Sequence, residues 1–98
     1  MSGSVVFHPS AEEDVRQAYR WYEEQRKGLG EDFLLCIEAA INAIKESPLS
    51  FPAIHKNARR ILTRRFPYSI FYVASGATIT IVAVFHCHRA PILWRNRT

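Results

Sequence analysis

The densest grouping of side chains able to do chemistry lies near the C-terminus, where His86-Cys87-His88-Arg89 follows an apolar run and leads to Trp94 and Arg95. Imidazole titrates near neutrality, so His86 or His88 could carry a proton, while Arg89 could steady the non-bridging oxygens of a phosphodiester. Those are the two needs of metal-free phosphodiester cleavage. The same residues also admit a purely structural reading, with Arg89 paired to a helix carboxylate such as Glu13 or Glu23 and Trp94 packed over a sheet edge. A metal centre is not expected. On an extended chain His86 and His88 share a face and Cys87 points away, leaving only His8, His55 and Cys36 to complete a tetrahedral set.

Other groups bear on binding. Lys56, Arg59 and Arg60 open the sheet-forming half and become a phosphate or carboxylate clamp only if they join Arg64, Arg65 and Arg89 in space. Tyr19, Trp21 and Tyr22 could stack on bases, but two of the three fall on an apolar helical stripe, so packing is the expected role. Across residues 1–50 nine acids face five bases, a net −4, whereas residues 51–98 carry eight bases, seven of them arginine, and no acid. That asymmetry marks the second half as a candidate surface for nucleic acid or an acidic protein segment, hidden in an overall charge of only +4.

These residues need a scaffold. At 98 residues, 48% apolar and 22% charged, the chain has ordinary globular composition and suits a single domain spanning 1–98, without disorder or a second catalytic domain. The two cysteines are too few for a disulfide framework and are expected as buried, reduced thiols. The N-terminus has no signal-peptide pattern, and the apolar stretch near Ile79–Phe85 is far too short for a membrane span, so a cytoplasmic protein without membrane contact is expected.

The periodicity predicts the elements. Val5-Val6-Phe7-His8 reads as a short strand, and Ser10-Ala11-Glu12-Glu13 as an N-cap with a capping box. Ala11, Val15, Ala18, Tyr19 and Tyr22 form one helical stripe; after Gly28-Leu29-Gly30, Phe33, Ile37, Ala40, Ile41 and Ile44 form another, closed by Ser47-Pro48. Beyond Pro52 the pattern turns extended over 59–66, 68–74 and 77–86, with Ser75-Gly76 as a hairpin turn. Val82-Ala83-Val84-Phe85, apolar at every position, predicts a strand inside the sheet. The expected fold is α+β in the order β-α-α-β-β-β, with a helical hairpin on one face of a small, mainly antiparallel sheet. The other face is expected to stay uncovered and to carry the arginines, ready to be covered by a partner. Which of Arg59 and Arg60 points outward is not settled by alternation.

The series His8-Pro9-Ser10-Ala11, Trp21-Tyr22, Gly28-Leu29-Gly30, Arg64-Arg65-Phe66-Pro67-Tyr68, Ile70-Phe71-Tyr72 and His86-x-x-Arg89-x-Pro91-x-x-Trp94-x-x-Arg97 resembles the RelE/ParE toxin superfamily of bacterial type II toxin–antitoxin systems, in particular its ParE-like branch. The resemblance implies a cytoplasmic growth-inhibiting toxin that needs no cofactor and forms a hetero-oligomer with a cognate antitoxin. It implies two alternative activities: binding of DNA gyrase in ParE-like members, or metal-independent cleavage of mRNA on the ribosome in RelE-like members. A non-toxic basic interaction module is a further alternative. For target or antitoxin binding the implied residues are Arg59, Arg60, Arg64, Arg65, Tyr68, Arg89, Trp94, Arg95 and Arg97. For a ribonuclease they are Arg89, His86, His88, Arg64 and Arg65. One catalytic arginine of the ribonuclease pattern is replaced here by Ser69, and its C-terminal tyrosine is missing near Trp94 and Arg95, which favours the non-cleaving reading.

Overall fold

The computed structural model describes residues 4–87. Its elements run β1 (Ser4–Phe7), α1 (Pro9–Gln25), α2 (Leu29–Glu46), β2 (Ala53–His55), β3 (Ala58–Leu62), β4 (Tyr68–Ser75) and β5 (Thr78–His86). The strands make one five-stranded sheet in the order β1-β5-β4-β3-β2, with β1 parallel to β5 and the remaining pairs antiparallel. This is the expected α+β arrangement with one added strand. β2 is three residues long and directly follows Pro52, too short to show alternation in the sequence.

The start of α1 differs from the expected capping box. Pro9 occupies the first helical position, where its fixed φ suits a helix and its missing N–H costs nothing. The cap is therefore His8, not Ser10: its Nδ1 accepts from the Ser10 amide at 3.1 Å. The hairpin between the helices turns at Gly28, whose φ of +89° favours glycine. Glu23 reaches across from α1 and accepts from the amides of Gly28 and Gly30, both at 3.0 Å, so that a side chain from one helix satisfies the exposed donors that begin the other. Gly30 lies so close to the Tyr19 ring that a Cβ would sit 2.9 Å from two of its carbons.

On the helix side of the sheet, Ala11, Ala18, Phe33, Ile37 and Ile44 pack on Ile70, Tyr72, Ile79, Ile81 and Val84. The Tyr72 hydroxyl, at the bottom of this layer, donates to the Pro48 carbonyl at 2.6 Å. The opposite face corrects the expectation of an open, arginine-coated surface. It holds a second apolar cluster of Ala58, Phe71, Ala83 and Phe85, with both phenylalanines only 3% exposed.

A register shift in the central pair explains why β5 is apolar at every position. Phe71 pairs with Ala83 but Tyr72 with Ile81, so Val82 is an extra residue and the two ends of β5 alternate out of phase. The Val84 amide is bound by the Asp14 carboxylate of α1 at 3.0 Å. As expected, β5 lies inside the sheet, between β1 and β4. Its hairpin with β4 turns at Gly76 and Ala77, one residue later than expected, with Gly76 at a φ of +58°. The cysteines differ from expectation as well: Cys36 is half-buried and Cys87 is exposed, since β5 ends before it.

Candidate functional site

Among the described residues, Arg59, Arg60, Arg64 and Arg65 do not gather into one cluster. Arg59 and Ile61 share the helix side of β3, whereas Arg60 shares the other side with Ala58 and Leu62. Arg59 turns toward the α2–β2 connection, where its Nη1 donates to the carbonyls of Phe51 at 2.6 Å and Leu49 at 3.3 Å. It fixes that connection to the sheet.

Arg64 and Arg65 lie in the bend between β3 and β4. Thr63 organises this bend: its amide donates to the Tyr68 carbonyl at 2.9 Å, and its hydroxyl accepts from the Tyr68 amide at 3.0 Å and donates to the Phe66 carbonyl. Arg65 then stacks over the Phe66 ring, 5.1 Å from its centroid, and pairs with Asp32 of α2 at 3.2 Å. Arg60 and Arg64 are left with guanidiniums that have no partner among the described residues.

Tyr68 packs into the aromatic layer, 5.0 Å from Phe33 and 6.2 Å from Tyr22 between ring centroids. His86 stands edge-on to Tyr68 at 5.5 Å on the same side of the sheet. Both line a cleft of about 220 Å³ with Asp14, Gln17 and Trp21 of α1. Ser69, which stands where the ribonuclease pattern has an arginine, is buried, and its hydroxyl lies 3.8 Å from the Cys87 sulfur. His88, Arg89, Trp94, Arg95 and Arg97 lie outside the described residues. The suggested carboxylate partners of Arg89 have other contacts, Glu13 with Arg16 and Gln17, and Glu23 with the start of α2. Those contacts, Gln17 foremost, hold the Glu13 carboxyl below its usual range.

Two features were missed in the sequence. Asp14 and Trp21 lie on one helical stripe with the buried Ala11 and Ala18, so an acid and an indole meet the end of β5; the signal was a carboxylate in apolar register. A second groove, of about 460 Å³, opens between the helices beside β1, with Phe7, Val15 and Leu34 as its floor. Among the described residues no three metal-ligating side chains converge, and no helix is long and apolar enough to cross a membrane.

Comparisons with known proteins agree with this fold. The family model described as the ParE toxin of type II toxin–antitoxin system, parDE, matches residues 5–91. The chain belongs to the ParE toxin family. It is 28% identical over 92 residues to Toxin ParE2 of Mycobacterium tuberculosis, from both the CDC 1551 and the H37Rv strain, covering 93% of this chain and 88% of the relative. Among solved structures, a chain of the chromosomal ParDE TA system from P. aeruginosa superposes with a TM-score of 0.76 at 16% identity, covering 87% of this chain and 96% of the other. At that identity the match speaks for the fold, including the helical hairpin and the sheet that carry the two grooves. The family match takes in Arg59, Arg60, Arg64, Arg65, Tyr68 and His86, and extends past the described residues to Arg89.

Proposed function

We propose that this chain is the toxin of a two-gene toxin–antitoxin pair, that it acts in the cytoplasm by binding DNA gyrase rather than by cutting RNA, and that its cognate antitoxin neutralises it in a hetero-oligomer. The observation that carries this reading is the match of 5–91 to the ParE family, joined to the state of the residues a ribonuclease would need. Ser69, buried within β4, brings no charge to a scissile phosphate, and the Arg65 guanidinium is shared with Asp32. Loss of one such electrostatic stabiliser typically costs about 100- to 1000-fold in rate. The exposed Arg64 and the half-buried Arg60, whose guanidiniums have no partner among the described residues, are the described cations we assign to an acidic surface of the target.

Induction of the chain alone in a bacterial host should arrest growth, and co-expression of a small protein encoded beside it should restore growth. Harmless expression of the isolated chain would favour the basic interaction module instead. Early ribosome-dependent cleavage of message would favour the ribonuclease.

A further inference from the structure

The edge of the sheet at β1 is open in a way that specifies a partner. Ser4 and His8 donate their amides inward to Ala77 and Ile81 of the β5 region, at 2.8 and 2.9 Å. In a parallel strand the alternate residues point their N–H and C=O groups the other way, so those of Val5 and Phe7 face outward. They have no hydrogen-bond partner among the described residues. Unpaired edge groups of this kind are a template for another extended chain, and here neither proline nor lysine blunts the strand.

The groove beside this edge supplies side-chain selectivity. Phe7, Val15 and Leu34 make its floor, and Glu12, Arg16 and Glu31 its rim, around about 460 Å³. Arg16 is already paired with Glu13 on the same helix. Glu12 and Glu31 make no ion pair among the described residues, although the Tyr19 hydroxyl donates to Glu31 at 3.0 Å. The groove is thus apolar below and negative above. It lies on the acidic half of the chain, opposite in sign to the arginine-rich half.

We infer that β1 and this groove are the docking site for one extended segment of the partner protein. The segment pairs with the Val5 and Phe7 backbone, sets an apolar side chain on Phe7, Val15 and Leu34, and presents a lysine or arginine to Glu12 and Glu31. A second copy of this chain fits less well, because pairing β1 with β1 would bring two glutamate rims of like charge together. The inference rests on the reading that the chain works bound to an antitoxin, and it adds the place and the chemistry of that contact: a basic, alternating segment, where the arginine-rich half alone suggests an acidic one.

The test uses the full chain and its complex with the protein encoded beside it, compared by amide hydrogen exchange and titration calorimetry. The Val5 and Phe7 amides should exchange at least about tenfold slower in the complex, and Glu12→Lys, on the exposed first turn of α1, should weaken binding about tenfold. Val5→Pro removes one outward donor at an edge position that tolerates proline and should weaken binding by a similar factor; if it fails to fold, Glu12→Lys still decides. A complex that forms with Val5 and Phe7 exchanging as in the free chain overturns the docking site and leaves the toxin–antitoxin reading standing. No complex at all overturns both. A free chain that is already a dimer with this edge protected makes the second copy the occupant and overturns the inference.

Discussion

Replacing Arg59 separates a structural arginine from a binding one. Its Nη1 donates to the half-buried Phe51 carbonyl at 2.6 Å and to the Leu49 carbonyl at 3.3 Å. In Arg59→Ala the Leu49 oxygen can be rehydrated, but the Phe51 oxygen loses a charge-assisted donor, an interaction worth about 1.5–3 kcal/mol. The packed stem of the side chain is lost too. A total near 2 kcal/mol in a domain of this size lowers the melting temperature by about 8–16 °C. Arg60→Ala removes a guanidinium that has no partner among the described residues and should cost about 0.5 kcal/mol, a few degrees at most. Arg59→Lys should recover part of the loss, since an ammonium can still reach one carbonyl. Differential scanning calorimetry of the three variants reads this directly, and partner affinity measured well below the melting point shows whether Arg59 does anything beyond folding. A shift of less than about 2 °C in Arg59→Ala, or an equal shift in Arg60→Ala, would show that the Phe51 and Leu49 contacts do not hold this connection.

Three further perturbations probe the frame of the candidate surfaces. Asp14→Ala leaves the Val84 amide without its carboxylate and should cost about 1–3 kcal/mol by urea unfolding, with Asp14→Asn milder; a loss below about 0.5 kcal/mol would show that the amide finds water instead. Gly30→Ala sets a Cβ 2.9 Å from the Tyr19 ring and from the Glu23 carboxylate; overpacking of about 1–3 kcal/mol should outweigh the roughly 1 kcal/mol gained in helix propensity, so a more stable variant would contradict the close approach. Burial pushes the Tyr72 phenol up, and the hydrogen bond to Glu31 does the same for Tyr19. A phenol whose folded pKa is raised binds its proton more tightly when folded. Its contribution is therefore complete below the unfolded value of about 10 and is lost as pH rises through the folded one. Tyr72→Phe should flatten the fall in unfolding free energy above about pH 10, and an unchanged alkaline slope would show that Tyr72 does not titrate with unfolding.

The helices were legible because their apolar residues recur with one period over several turns, and the stripes through Ala18 and Ile37 are the ones that meet the sheet. The order of strands after Pro52 was legible for the same reason, apart from β2, which pairs Ala53 with Arg59 over too few residues for any pattern to show. Side-chain direction was not legible where arginines stand in pairs. Arg59-Arg60 could alternate either way, and only the packing of Ile61 against the helix-side core decides it. The extra residue Val82 hid the phase of β5, so the apolar run identified a strand inside the sheet without showing that Phe71 and Phe85 form a second cluster. Polar residues that act across elements were the hardest to read. Glu23 looks like a solvent-facing position of an amphipathic helix until the amides of Gly28 and Gly30 are placed beside it, and Asp14, in register with Ala11 and Ala18, shows its role only beside the Val84 amide.

We propose that the chain inhibits by binding gyrase. Adding the purified chain to purified gyrase with relaxed plasmid, and separately to translating ribosomes with a defined message, tests it most directly. Supercoiling should stop, or cleaved DNA accumulate, in proportion to added chain, while the message stays intact. Cut message on the ribosome with gyrase unaffected would contradict it.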